Sequence, residues 1–406
     1  MNSSRLKWID RYVGTPLVLL LAGWEWVLRL FSPKRRRQGR DLSAPRRIAI
    51  IKTVAIGDVV QALPTIKAIR ERFPEAHLTL ITTPRVKEVV EGLPFVDEIL
   101  YYDVFGRHSG IGGVARFAGE LRRHAFDMWV ELEHYYRFTT VLGYLSGAKV
   151  RVGFDIPEQV RRHLFTITAP YPTDKHELES FFAIATALGA SAEAMAPIPI
   201  PVSEEDRTRT REWLARASSV LPEAQRNQGI VLFHTTTSPV SIGRRWPSDR
   251  WVELANRVTE RYGLTVVLTG APEEVPDLEA LAARMKYPTF IAAGELSLRQ
   301  FSVLAGAAQL MVSVDTGPLH VAAATGVPIV AMFGPSDLRK WRPYGPGNIA
   351  VSAGLECSPC TTHYLGKISL KTCDDCMRGI SVEDVLDAID SLPSGPGRVT
   401  EQDGTK

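Results

Sequence analysis

The sequence predicts two doubly wound α/β domains, each a parallel sheet covered on both faces by helices. Three observations carry this. Short, almost wholly apolar runs rich in Ile, Val and Leu alternate with longer stretches of helical periodicity, the pattern of strands buried on both faces. The alternation stops at Pro197, Pro199 and Pro201, which read as an extended linker, and then restarts. The 406 residues are 45% hydrophobic and 23% charged, a globular mix whose length suggests two to three domains at roughly 100–200 residues each. That composition excludes wholesale disorder, collagen and coiled coil. Lys and Arg number 48 against 45 Asp and Glu, a net +3, which argues against a dedicated nucleic-acid binder. Four cysteines in a chain this long are not a disulfide scaffold.

The first 45 residues form an extension. Its apolar run, Leu17 to Phe31, has 15 residues and contains Glu25 and Arg29. About 20 clean apolar residues are needed to cross a bilayer. No small-residue cleavage site follows, as a secretory signal would require. Residues 34–47 carry seven positive charges and one negative. Two readings stay open. One is an amphipathic helix lying on an anionic membrane surface, with Trp8, Trp24 and Trp26 at headgroup level and the basic cluster on the lipid phosphates. The other is a helix packed on the body of the protein, followed by a solvated linker.

The first domain spans 46–200. Arg47–Lys52 reads as a buried strand, followed by a helix near Asp58 to Phe73, a strand at His77–Thr82 and a short helix near Arg85–Glu91. Met128–Leu132 and Lys149–Phe154 read as further strands. The second domain spans 203–392 and opens with a charged helix over 203–218. Strands follow at Gly229–Thr235, Leu264–Gly270, Thr289–Ala293, Leu310–Asp315 and Pro328–Gly334. Helices at Ser248–Tyr262, Val275–Lys286, Leu298–Gly306 and Pro318–Thr325 lie between them. Residues 393–406 are expected to be a disordered tail.

Four segments could carry chemistry. In Lys52-Thr-Val-Ala-Ile-Gly57-Asp58, at a strand-to-helix turn, Gly57 is expected to make the tight turn. Asp58 then either takes a proton from a hydroxyl nucleophile or merely caps the following helix. His234-Thr-Thr-Thr237, with Arg244 and Arg245 shortly after, suits a diphosphate or is a polar loop before a helix start. In the third segment Asp315 ends a buried strand, and Thr316 and Gly317 open a helix with free amides. Pro318 fits its first turn, His320 lies on it, and Gly326 ends it. The fourth is Cys357-x-x-Cys360, twelve residues, then Cys373-x-x-Cys376, with His363 as a spare ligand. This spacing suits a structural zinc, and free or redox-active thiols or disulfides remain open. Arg161, Arg162, His163, Lys175 and His176 supply positive charge suited to phosphate or acidic sugars of an acceptor, and are read for the most part as solvated surface.

Together these segments resemble glycosyltransferase family 9, the heptosyltransferases of the lipopolysaccharide inner core. The resemblance covers about 46–390. It rests on Asp315-Thr-Gly-x-x-His320 with its Ala-rich helix, on Gly326-Val-Pro328 running to Phe333-Gly-Pro-Ser336, on Gly57-Asp58 with Leu63-Pro64, and on His234-Thr-Thr-Thr before Arg-Trp-Pro. It implies a GT-B fold, with two Rossmann-like domains facing across a cleft. The first would bind a glycolipid acceptor (Kdo-lipid A or the inner core) and the second an ADP-sugar. It also implies inversion, no cofactor needed for catalysis, and a place on the inner face of the cytoplasmic membrane. Asp58 would be the general base. Thr236, Thr237, Arg244, Thr316 and Gly317 would hold the diphosphate, with Asp315 and His320 in the donor pocket. Glu273 or Glu274 would meet the ribose, and Leu296 would lie beside the adenine. Val54 and Ala55 stand where many members have serines, and Arg244 where many have lysine. The alternatives are another GT-B enzyme of nucleotide sugars (a uridine-donor transferase or an epimerase) and a non-catalytic nucleotide-binding membrane scaffold.

Overall fold

A computed structural model describes residues 10–31, 42, 45–53, 55–156, 159–192, 195–221, 229–361 and 373–396. These fall into two compact units, one running to Ala196 and the other starting at Pro197.

The first unit opens with a π-helical turn, Asp10–Gly14, and helix α1, Thr15–Phe31. β1 (Arg47–Ile51), α2 (Ile56–Arg72), β2 (His77–Thr82) and β3 (Glu98–Tyr101) follow. Then come α3 (Gly110–Arg123), β4 (Met128–Glu131), α4 (Arg137–Leu145), β5 (Val150–Asp155), β6 (Ile167–Pro170) and α5 (Glu177–Ala187). The strands pair in parallel in the order β3-β2-β1-β4-β5-β6. The strand order therefore reverses between β1 and β4. In open α/β sheets, ligands bind beyond the strand carboxyl ends at such a switch point.

The second unit repeats the plan. It has α6 (Glu204–Ser219), β7 (Ile230–His234), α7 (Ser248–Tyr262), β8 (Thr265–Thr269), α8 (Val275–Ala282), β9 (Thr289–Ile291) and α9 (Leu298–Ala307). It continues with β10 (Leu310–Val314), α10 (Gly317–Ala323), β11 (Ile329–Met332), β12 (Asn348–Val351) and α11 (Val382–Asp390). The sheet order β12-β11-β10-β7-β8-β9, again parallel, puts the reversal between β10 and β7. Sequence chemistry sets the helix ends. Capping boxes start α6 at Ser203, α9 at Ser297 and α11 at Ser381. Gly263, left-handed at φ 66°, stops α7. The strands β7, β8 and β10 are buried along their whole length, as their apolar runs require.

Several boundaries differ from the sequence expectation. The helix expected at Arg85–Glu91 is a 3-10 turn, Pro84–Val86, running into Lys87–Val90. The helix expected to reach Lys286 ends at Ala282. β3, β6 and β12 were not anticipated, being four-residue strands at sheet edges and partly exposed. α1 is not a separate extension. Val18 is fully buried in a cluster with Val141 and Leu164, and Glu25 pairs with Arg151 at 3.4 Å. Asp10 accepts bonds from the backbone N–H groups of Arg137 and Phe138 at 2.8 and 2.9 Å, capping α4. Trp8, most of the basic run after Phe31, His363 and residues 397–406 lie outside the described residues.

Candidate active site

In the first unit the switch point gathers charge. Lys52 follows β1 and is fully buried, yet its Nζ lies 3.1 Å from Asp58 Oδ2 and 3.4 Å from Glu133 Oε2. The other Glu133 oxygen accepts from the Thr53 amide and from Thr53 Oγ1, the latter at 2.8 Å. Asp58 sits in the first turn of α2 but caps nothing, because the N-cap is Ala55 and no side chain bonds there. Its carboxylate is held instead by Lys52, with 17% of the side chain open to solvent. Burial pushes its pKa up to about 6, with Lys52 opposing and Glu177 and Glu133 adding. Burial pulls the Lys52 ammonium down, but Glu133 and Asp58 outweigh it, so it stays charged.

Gly57 does not make the turn. It is helical, and the left-handed residue is Ala55, at φ 59° and ψ 132°. A non-glycine residue there stores strain of about 1–3 kcal/mol, the kind that persists where surrounding contacts over-determine it. Sequence reasoning also missed the layer beneath. Arg161 is fully buried and donates to Glu131 Oε1 at 2.8 Å and to the Glu133 and Tyr136 carbonyls. It is structural, not solvated surface as expected. His176 is likewise buried, and its Nδ1 accepts from the Leu178 amide to cap α5. Lys175 and His163 are exposed and Arg162 half-buried, as expected.

In the second unit the expected residues leave the carboxyl ends of four neighbouring strands. The loop after β7 carries Thr236 and Thr237, and the loop after β10 carries Asp315, Thr316 and Gly317. Arg244, at the end of a 3-10 segment, spans the two. Its Nη1 lies 3.1 Å from Asp315 Oδ2 and donates to the Asp315 carbonyl at 3.3 Å. Arg245 donates to Thr237 Oγ1 at 3.3 Å. Thr316 Oγ1 is buried and without a hydrogen-bond partner, and it makes no cap bond to α10. A buried hydroxyl left open beside helix amides suits an anion acceptor. His320 is buried on the first turn of α10, and burial lowers its pKa to about 4, so the ring is neutral.

The loop after β8 separates the two candidate carboxylates. Glu274 Oε2 accepts from Thr236 Oγ1 and from the Ala271 amide, both at 2.7 Å. Glu273 is exposed. The Thr236 hydroxyl proton is thus committed to Glu274 in this arrangement. Leu296, after β9, is half-buried, and its amide donates to the Ala292 carbonyl at 3.3 Å. His234 ends β7 with Nδ1 3.0 Å from Thr269 Oγ1, and burial lowers its pKa to about 4.

All four thiols are free, with Cys357 and Cys373 exposed and Cys376 buried. Cys376 packs against Gly334, and burial chiefly raises its pKa. Cys373 Sγ donates to Asp375 at 3.2 Å. Among the described residues no three His, Cys, Asp or Glu side chains gather as metal ligands.

Comparison with known proteins bears on this constellation. The profile of Glycosyltransferase family 9 (heptosyltransferase) matches residues 114–366, more than half of the chain. The chain belongs to glycosyltransferase family 9. As a family 9 protein it is a glycosyltransferase. The lipopolysaccharide core heptosyltransferase OpsX of Haemophilus influenzae is 22% identical over 316 residues, covering 76% of this chain and 85% of that protein. A family 9 glycosyl transferase from Veillonella parvula has a TM-score of 0.73 at 24% identity, over 86% of this chain and 97% of that one. The Escherichia coli heptosyltransferase WaaC, solved with ADP, has a TM-score of 0.62 at 18% identity, over 85% of this chain and 99% of that one. The fold is GT-B, with one Rossmann-like sheet in each unit.

Proposed function

We propose that this glycosyltransferase moves a heptose from an ADP-sugar to a hydroxyl of a lipopolysaccharide inner-core or related glycolipid acceptor, with inversion, at the inner face of the cytoplasmic membrane. The observation that carries the reading is Asp58: a solvent-reachable carboxylate at a sheet switch point, tuned to about 6. Near neutral pH it is ionised yet still a competent proton acceptor, which is what a general base needs. As the acceptor oxygen bonds to the anomeric carbon, its proton passes to Asp58 and the carbon–oxygen bond to the diphosphate breaks. Negative charge then grows on the leaving ADP. The Arg244 guanidinium, anchored on Asp315, and the Thr316 hydroxyl are placed to meet that charge beside the α10 amides.

The names of its relatives support heptose and lipopolysaccharide, and the ADP complex of WaaC supports an adenine nucleotide. In this reading the first unit takes the acceptor and the second the donor. No step is routed through the cysteines. Among the described residues no helix is long and apolar enough to cross a membrane, so membrane contact in this reading is peripheral.

The test pairs a thermal-shift panel of ADP, UDP, GDP and CDP with the variant Asp58→Asn. A ligand at 100 times its Kd raises folded-state stability by about 2.7 kcal/mol. ADP is expected to stabilise selectively, and Asp58→Asn to keep that response while losing about 10²–10⁴ in turnover. Selective stabilisation by UDP discards the donor, and normal turnover removes Asp58 from the chemistry.

A further inference from the structure

α1 offers a surface that the transfer chemistry does not use. Its inner face packs on the first unit through Val18 and Glu25. The opposite stripe, Leu17, Leu20, Trp24, Val27 and Phe31 at steps of three and four, faces outward. Leu20 is 73% exposed, Trp24 59% and Phe31 84%. Trp26, 64% exposed, and Leu30 widen it. A helix apolar on all sides is normally covered on all sides, and a contiguous exposed apolar patch marks an interaction site. Glu25 and Arg29 are the only charged residues in the helix, and Glu25 is turned inward to Arg151.

The neighbouring chemistry says what covers this face. The chain continues from Phe31 into Lys34, Arg35, Arg36, Arg37 and Arg40. Beside α1, a groove of about 520 Å³ separates it from the 3-10 turn Val160–Leu164. Leu19, Ala22, Trp26 and Phe165 give it apolar walls, and Arg162 and His163 stand among its lining residues. Apolar walls with the Arg162 guanidinium, and with Glu25 already neutralised by Arg151, complement an acyl chain below an anionic headgroup, and the sequence after Phe31 adds positive charge. A second copy would bring two such basic runs together and meet like charge with like.

We propose that the outer face of α1 and this groove dock on an anionic phospholipid leaflet, with the helix in the interfacial plane and a headgroup phosphate against Arg162. The proposal deepens the reading that the enzyme works at a membrane surface, and rests on it.

The test is flotation of the full chain with phosphatidylcholine vesicles with or without phosphatidylglycerol, no donor or acceptor being present. Binding is expected only with phosphatidylglycerol and should weaken as salt rises. Leu20→Glu with Trp24→Glu should lower partitioning by at least about tenfold. The melting temperature should hold, since both side chains are exposed. Wild-type protein that ignores both vesicle types overturns the proposal, as does a double variant that binds like wild type. So does a solution dimer that the double variant dissociates, which would give the face to a second copy. Transfer to a deacylated inner-core oligosaccharide is assayed separately. Transfer without vesicle binding sinks the docking surface alone, and vesicle binding without transfer upholds the surface while sinking the proposed heptose transfer to the inner core.

Discussion

Removing the ammonium of Lys52 should move the acidic limb of the pH–rate profile. With Asp58 near 6, kcat/KM for the wild type should fall about tenfold per pH unit below that value, as the base becomes protonated. The cation 3.1 Å away favours the ionised carboxylate and holds its pKa down. An opposite charge at such range is worth about 1–3 pKa units. Lys52→Met should therefore raise the limb to about 7–9. Glu133→Gln removes a like charge and frees Lys52 for Asp58, so the limb should move the other way. The pair of shifts, opposite in sign, separates electrostatic tuning from general damage. Lys52→Met also strands the buried Glu133, a loss of about 3–5 kcal/mol when one partner of a buried pair goes. Melting curves must accompany the kinetics, and Glu133→Gln carries the test should the first variant not fold. The assay is initial-rate transfer at subsaturating acceptor from pH 5 to about 10, one unit beyond the highest limb expected. A flat wild-type profile, or limbs unmoved in both folded variants, would refute the argument.

Arg244→Ala should weaken ADP binding by about 10–100-fold, since a hydrogen bond to a charged group contributes about 1.5–3 kcal/mol, and should slow transfer as well; titration calorimetry with ADP reads the first effect. Unchanged ADP affinity would take Arg244 off the diphosphate. His234 and His320 fold with pKa values near 4 against 6.5 when exposed. Their contribution is whole above pH 6.5 and is lost as pH falls towards 4, about 3 kcal/mol for each ring. Melting temperatures from pH 8 to 4 should decline through that window, and His234→Gln should flatten part of the decline.

The candidate residues of the second unit were legible as strand-end strings because β7, β8 and β10 are largely apolar runs that each end in a short polar or glycine-bearing string. Asp58 was legible as a candidate only by residue type and position. Its pKa is set first by burial and then by Lys52, and Lys52 is itself held by Glu133, 81 positions on, a contact created when β1 pairs with β4 and Ile51 comes level with Glu131. Nothing local announces that register. Arg161 and His176 were misread for the same reason, since a charged or polar residue looks solvated until the carbonyls and amides it serves are in place. The turn before Asp58 defeated a sound rule: glycine is the usual left-handed residue, yet here contacts impose that geometry on Ala55. α3 and α4 were missed because Gly110, Gly112, Gly113 and Gly119 weaken one helical pattern, and Phe138, Thr139, Thr140 and Val141 read as strand in the other.

The docking of α1 also sets an order of events in time. Asp10 caps α4 from 127 residues upstream, and Glu25 waits for Arg151. At about 5–20 residues per second, a growing chain displays α1 for roughly 6–25 s before those partners leave the ribosome. Through that interval both faces of the helix are bare, the inner one with Glu25 still unneutralised. A nascent chain made beside a bilayer would therefore meet lipid before it met its own first unit. The fold would then close onto a helix already at the surface, with Arg151 arriving to neutralise Glu25 and Leu164 following to cover Val18.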